Sequence, residues 1–150
     1  MKKIVTLLIL FCTASTFSQS NKDLLSHYKK YYKQMQSQAD IQGVINALTH
    51  LNVLEPSQAR KDTLATLYMN EGRHVEALNT IGVDKNDSDS DLAVQVKAFS
   101  LKAINDVEQA MVHYEELFKR KPNPFIAYEL AEMKIRTGDL MGATRNITFG

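Results

Sequence analysis

With 150 residues, 44% of them hydrophobic and 23% charged, and with only 6 Gly and 3 Pro, the chain is composed for a single soluble helical domain, not for a fibrous or disordered one. A formal net charge of +1 supplies no global field that would draw the protein to a phosphate backbone or an anionic membrane. Trp is absent, so Tyr and Phe carry all the aromatic character.

The chain opens on MKKIVTLLILFCTASTFSQS. Lys2 and Lys3 precede an apolar run from Ile4 to Phe11, and small and polar residues follow, which is the layout of a secretory leader. The run is shorter than the ~20 apolar residues that a spanning helix needs. Thr16 and Ser18 place the cleavage site. This predicts a leader over residues 1–18 and a mature domain over 19–150, exported to the periplasm or outer surface and without stable membrane insertion. A lipid anchor at Cys12 would want a small residue just before it, and Phe11 stands there instead. Cleavage after Ser18 removes the only cysteine, so neither disulfide nor thiolate chemistry is expected.

Within the first unit of the mature part stands HYKKYYKQ, His27 to Gln34, where bases interleave with aromatics. Such a segment could stack on nucleic acid or lie against anionic headgroups. Read as a packed first helix, it instead buries Tyr28, Tyr31 or Tyr32 while lysine stems extend into water. No nucleic-acid partner is expected.

Further along, the sequence repeats itself. Val44, Leu48, Leu51 and Pro56 recur as Ala110, Tyr114, Leu117 and Pro122, all four at one constant offset. Leu64, Ala65, Gly72 and Ala77 recur as Leu130, Ala131, Gly138 and Ala143 at the same offset. Ala98, Leu101 and Ala110 follow Ala65, Tyr68 and Ala77 at half of it. The smaller step is the repeat, a unit of about 33 or 34 residues. Four copies are expected, over about 24–56, 57–90, 91–123 and 124–150.

Within each unit the apolar spacing predicts two helices. Leu64, Ala65, Tyr68 and Met69 keep helical spacing, Gly72 interrupts it, and Val75, Ala77, Leu78 and Ile81 resume it. Gly72 and Gly138 suit a left-handed helix end, and Asn105 can fill that position in the third unit. Ala39 stands there in the first. Ala65, Ala77, Ala98, Ala110, Ala131 and Ala143 let paired helices approach closely. Pro56 and Pro122 stop the second helices. The fold class is thus all-α, an α-solenoid of about four antiparallel helix hairpins.

The stretches LATLYMNEGRHVEAL and LAEMKIRTGDLMGA resemble tetratricopeptide repeats. The resemblance implies a right-handed superhelix whose first helices line a concave groove that binds a peptide or another protein. In that register the groove residues are Lys29, Lys33, Asp62, Thr66, Met69, Asn70, Gln95, Phe99, Lys102, Tyr128, Glu132 and Arg136. One variant of the family clamps a chaperone's C-terminal carboxylate with lysines, asparagines and an arginine. Lys29 fits that pattern, but Lys33 and Thr63 replace asparagines, and Leu92 and Val96 replace the distal basic pair. That ligand is therefore not expected.

Two other patterns invite chemistry. DKNDSDSD, Asp84 to Asp91, spaces its acids like a calcium loop, yet Leu92 stands where glycine is required and Ala98 where a bidentate Glu would close the site. A polar connector with Ser90 or Asp91 capping the next helix explains the same residues. The sequons at Asn86 and Asn146 matter only in a glycosylating host. His27, His50, His74 and His113 show no metal-pair spacing and no adjacent nucleophile; they read as surface or partly packed residues. No catalytic residues, metal or cofactor are expected. The resulting expectation is a non-enzymatic scaffold for a protein or peptide partner of unknown identity. The alternatives are a self-assembling structural subunit or an N-terminal adaptor region of a longer envelope protein. Ile147 and Phe149, uncapped at the end of the last hairpin, motivate possible self-association there.

Overall fold

The computed structural model describes residues 2–148, with side chains from residue 20 onward. The Cys12 side chain, those of the expected leader, and Phe149 lie outside the described residues. Every regular element among the described residues is a helix: α1 (Lys2–Ser37), α2 (Ile41–Leu54), α3 (Gln58–Asn70), α4 (His74–Ile81), α5 (Asp91–Ala103), α6 (Val107–Arg120), α7 (Pro124–Arg136) and α8 (Leu140–Ile147). None of them, among the described residues, is long and apolar enough to cross a membrane.

The turns inside the hairpins follow the sequence period closely. Ala39, Gly72, Asn105 and Gly138, each one repeat after the last, all adopt positive φ, at 53°, 72°, 66° and 87°. In each, the next residue's N–H returns to a carbonyl five back: Asp40 to Met35, Arg73 to Tyr68, Asp106 to Leu101 and Asp139 to Lys134. That bond closes the helix end and aims the chain into the following helix. Asp40, Asp106 and Asp139 then cap α2, α6 and α8, accepting from the N–H groups of Gly43, Gln109 and Gly142. Arg73 makes no side-chain cap, so α4 starts without this support.

The chain divides into two compact units, Met1–Ser57 and Gln58–Gly150. The first is the hairpin of α1 and α2, with Met35, Val44, Ile45, Ala47, Leu48 and Leu51 buried. Gly43 fits because α2 passes close to α1 there; a Cβ at this position would run into the Met35 side chain. Tyr28 is half-buried and stacks on His50 at 4.3 Å, while Lys29, Lys30 and Lys33 are exposed.

The second unit holds the hairpins α3–α4, α5–α6 and α7–α8. Helix α5 packs against α3, α4 and α6, and α7 against α6 and α8. The main core joins Leu78, Val94, Ala98, Leu101, Ala110, Tyr114, Leu117, Ile126, Leu130 and Met133, and a smaller one joins Ala65, Ala77 and Val96. All six small residues expected at the helix contacts are buried, Ala65, Ala77, Ala98 and Ala110 completely. Fully burying a leucine such as Leu101 or Leu130 contributes about 1.5–3 kcal/mol. Repetition of that burial holds the hairpins together.

His113 departs from its expected place at or near the surface. It is fully buried, because the carbonyl of Val83 comes within 2.7 Å of Nε2 and satisfies one side of the ring.

Candidate binding face

The sequence period places equivalent residues of α3, α5 and α7 in rows. Asp62, Gln95 and Tyr128 form one row, and Thr66, Phe99 and Glu132 another. Their environments nevertheless differ. Asp62 is 3% exposed, and its carboxylate accepts from Gln58 at 2.8 Å and from the Ser90 hydroxyl at 2.6 Å. Its role is to join α3 to the start of α5. A partner has no access to it, which corrects its expected groove position.

Thr66 turns inward to its own helix, donating to the Asp62 carbonyl at 2.8 Å. Met69 is half-buried against the smaller core, whereas Asn70 and Gln95 are exposed. Lys29 and Lys33 belong to the first unit and are exposed on α1, with Lys29 in an ion pair with Glu55 at 3.2 Å.

The residues that do come together lie on α5 and α7. The Phe99 ring meets Tyr114 edge-on at 5.4 Å between centroids and Phe125 at 6.1 Å. Lys102 donates to Glu129 and, at 3.0 Å, to Glu132. Partial burial opposes its charge, but the two carboxylates outweigh that and hold the ammonium above the usual lysine range. Arg136 donates to the side chain of Asn105 at 2.7 Å, which ties the end of α7 to the turn after α5. Beside these groups Phe125 is 56% exposed and Tyr128 66%, an aromatic pair left in water on a helix that otherwise buries Ile126, Ala127 and Leu130. Beneath them burial, reinforced by the charge of Glu129, pushes the Tyr114 hydroxyl far above its ordinary value. The face therefore combines rigid aromatic surface with charged groups already fixed in direction.

A second polar assembly was missed by the sequence reading. Loop 82–90 between α4 and α5 bounds a recess of about 730 Å³, with Gln58 and Lys97 also in its lining. Lys97 is 2% exposed and donates to the Asp84 carbonyl and the Asp89 carboxylate, both at 2.7 Å. Arg120 reaches the Asp89 carbonyl at 2.7 Å, and Lys121 pairs with Asp91 at 2.9 Å. Glu116 accepts from Arg120 at 2.8 Å and from Lys85 at 3.0 Å, and these two cations, Arg120 foremost, push its carboxyl down to about 2. Ser90 caps α5 as expected, accepting from Ala93 N–H at 3.1 Å. Of the acids that resembled a calcium loop, Asp89 and Asp91 are thus engaged with cations of the protein itself. Among the described residues no group of three or more His, Cys, Asp or Glu could hold a metal ion.

At the last hairpin, Leu140, Met141 and Ile147 are 64%, 78% and 57% exposed. The expected partner of Ile147 in that patch, Phe149, lies outside the described residues.

No family model matches the chain, and no curated protein is significantly similar to it in sequence. Solved structures are similar in fold. The crystal structure of the MamA protein aligns with a TM-score of 0.69 at 16% identity, covering 85% of this chain and 72% of that one. A tetratricopeptide repeat protein from Parabacteroides merdae ATCC 43184 aligns with a TM-score of 0.64 at 18% identity, covering 87% of this chain and 52% of that one. The MamA RS-1 ArsTM double mutant gives 0.67 at 12% identity, with 90% and 78% covered. This chain spans about half the length of the Parabacteroides protein. Left-handed turns once in every repeat, buried alanines at the helix contacts and these structural neighbours agree: the chain has the all-α tetratricopeptide-repeat fold.

Proposed function

We propose that this protein is an exported, non-enzymatic scaffold that holds an extended segment of a partner protein across α5 and α7. The observation that carries the reading is the exposed pair Phe125 and Tyr128, adjoining Phe99 and the fixed charges of Lys102, Glu132 and Arg136. Exposed aromatics on a rigid helix provide large contact area at little entropic cost, and flanking charges give a peptide its direction. Residues 1–18 serve as the leader, and the partner is met in the periplasm or at the outer surface.

A photo-cross-linker replacing Tyr128 in cells should capture one partner, whose affinity is then measured with the purified proteins. Changing Phe125, Tyr128 and Arg136 together to Ala should weaken binding about tenfold or more, since anchors of this type each contribute upward of ~1 kcal/mol. Helicity should be unchanged. Unaltered affinity sinks the reading, and a cross-link only to a second copy of the chain favours self-assembly instead.

A further inference from the structure

The charges are not spread evenly along the chain. Residues 1–57 carry six Lys or Arg against three Asp or Glu, a formal +3, while residues 58–150 carry twelve against fourteen, a formal −2. Much of the excess stands on one side of α1. At 100° per residue, Lys22, Lys29 and Lys33 fall within one narrow arc of the helix, and Lys30 lies beside it. These four lysines, with Leu25 and Ser26, surround a shallow recess of about 290 Å³. Tyr28, Tyr31 and Met35, half-buried or buried, occupy the opposite side of the helix, with the half-buried Leu25 and Tyr32 at the edge between the two.

The stripe is uncompensated within its own helix. No acid stands three or four residues from any of the four lysines, whereas Lys29 and Lys33 are four apart and repel each other. Lys29 has Glu55 at 3.2 Å, but both side chains are 51% exposed, so that pair is readily exchanged for an external anion. Three long cations of the second unit stand differently: Lys97, Lys102 and Arg120 all engage its own carboxylates.

We infer that the Lys22, Lys29, Lys30 and Lys33 face of α1 is a peripheral docking surface for an anionic phospholipid bilayer. The chemistry of the face selects this occupant. A nucleic-acid strand would want aromatic rings among the cations on which to stack its bases. Here the three tyrosine rings are half-buried, with Tyr28 against His50 at 4.3 Å, and His27 is the one exposed ring among these lysines. A folded acidic partner would want fixed donors, and four lysines on flexible stems provide charge without geometry. A headgroup layer asks only for charge. The same continuous helix leads back to the apolar sequence from Ile4 to Phe11, and the axial distance from Phe11 to Lys22 is about 16 Å at the usual helical rise. While the leader is present the lysines are therefore delivered near a headgroup layer, and leader removal leaves all four in place.

The test uses the full chain with vesicles of phosphatidylcholine containing phosphatidylglycerol, and with vesicles of phosphatidylcholine alone. The apolar N-terminal run contributes to both, so the ratio of the two affinities isolates the charge. Each lysine near an anionic surface contributes roughly a fivefold gain. K22Q/K29Q/K30Q/K33Q should therefore lower the anionic preference by roughly several hundredfold at low salt, and K22R/K29R/K30R/K33R should retain it. K61Q/K119Q/R145Q, which removes exposed or half-exposed charge from the second unit, should change the ratio several-fold at most. An unchanged ratio in the four-Gln variant overturns the proposal, as does loss of the preference in the four-Arg variant with helicity intact. Displacement of the chain from anionic vesicles by an equal phosphate concentration of a single-stranded oligonucleotide would assign the face to nucleic acid instead.

Discussion

The second and third hairpins obey one period and fill it in different ways. Helices α3 and α5 are both 13 residues long, but α4 has 8 residues where α6 has 14. The difference is absorbed by connection 82–90, which stands where the third hairpin needs only 121–123. Gly82, at φ 82°, ends α4 at the position where the third hairpin has Glu115 in mid-helix. The period is therefore set by the left-handed turns and the contacts of the first helices, while the length of the second helix is free to vary. Length lost from α4 is replaced by polar ties. Lys97, Arg120 and Lys85 hold the loop to α5 and α6, and His113 holds the Val83 carbonyl.

If those ties substitute for helix, removing one should act like removing core. Asp89→Ala leaves the Lys97 ammonium buried with the Asp84 carbonyl as its remaining partner, and breaking a buried pair from one side costs about 3–5 kcal/mol. Asp89 keeps some solvent access, which places the expectation at the lower end, about 3 kcal/mol. Urea denaturation followed by circular dichroism reads this directly. Glu108→Ala, at an exposed position of α6, should stay within about 0.5 kcal/mol. Equal effects of the two changes would show that the loop is loosely held, and the comparison between the hairpins would fail. Replacing both members of the pair, as Lys97→Met with Asp89→Leu, should recover most of the loss, because no unpaired charge then remains buried.

The turns sharpen the other half of the comparison. A Cβ at Gly72 or Gly138 would meet nothing within 4 Å, so changing either to Ala tests backbone conformation alone. Each should cost about 1 kcal/mol, the usual penalty for an L-residue in the left-handed region. Ala39 already stands there at φ 53°, and Ala39→Gly should raise the stability of the first unit by up to about 1 kcal/mol. A destabilising Ala39→Gly would mean that this turn is held by something other than the shared motif.

These positions also show what was legible in the sequence. Gly72, Asn105 and Gly138 announced the turns by residue type, because glycine and asparagine tolerate positive φ. Ala39 did not, and there the period overrode the residue: the Asp40-to-Met35 bond and the Asp40 cap impose the same geometry. The six alanines were legible as contact points because close helix approach admits only small side chains. Lys97 was illegible. A lysine inside VQVKAF reads as solvated, and its burial depends on Asp84 and Asp89, which belong to a stretch with the composition of an open linker. Asp62 was misplaced for the same reason, since its partner Ser90 lies far along the chain beyond an intervening helix. Periodicity reveals which positions are equivalent, but the polar partner that buries one of them comes from an irregular segment that no period describes.

The finest distinction between the hairpins is one of pH. A carbonyl can only accept, so the 2.7 Å approach of Val83 fixes the proton of His113 on Nε2 and leaves Nδ1 bare and buried without a partner. Protonating Nδ1 would place a second N–H where nothing accepts it. Burial accordingly pulls the His113 pKa below its ordinary 6.5; Lys97 and Lys85 add to this, while the Val83 bond and Asp89 work against it. Because the folded value is the lower one, the unfolded chain takes up its proton first as pH falls through 6.5. The stability due to the neutral ring is therefore complete above that pH, and it is lost as acidification continues toward the folded pKa. His113→Gln keeps a donor near Val83 and removes the titration. Urea midpoints measured from about pH 7 to pH 5 should fall more steeply for the wild-type chain than for His113→Gln. Parallel slopes would mean that the ring titrates alike in both states, and the loop would then be held by Lys97 and Arg120 without help from α6's histidine.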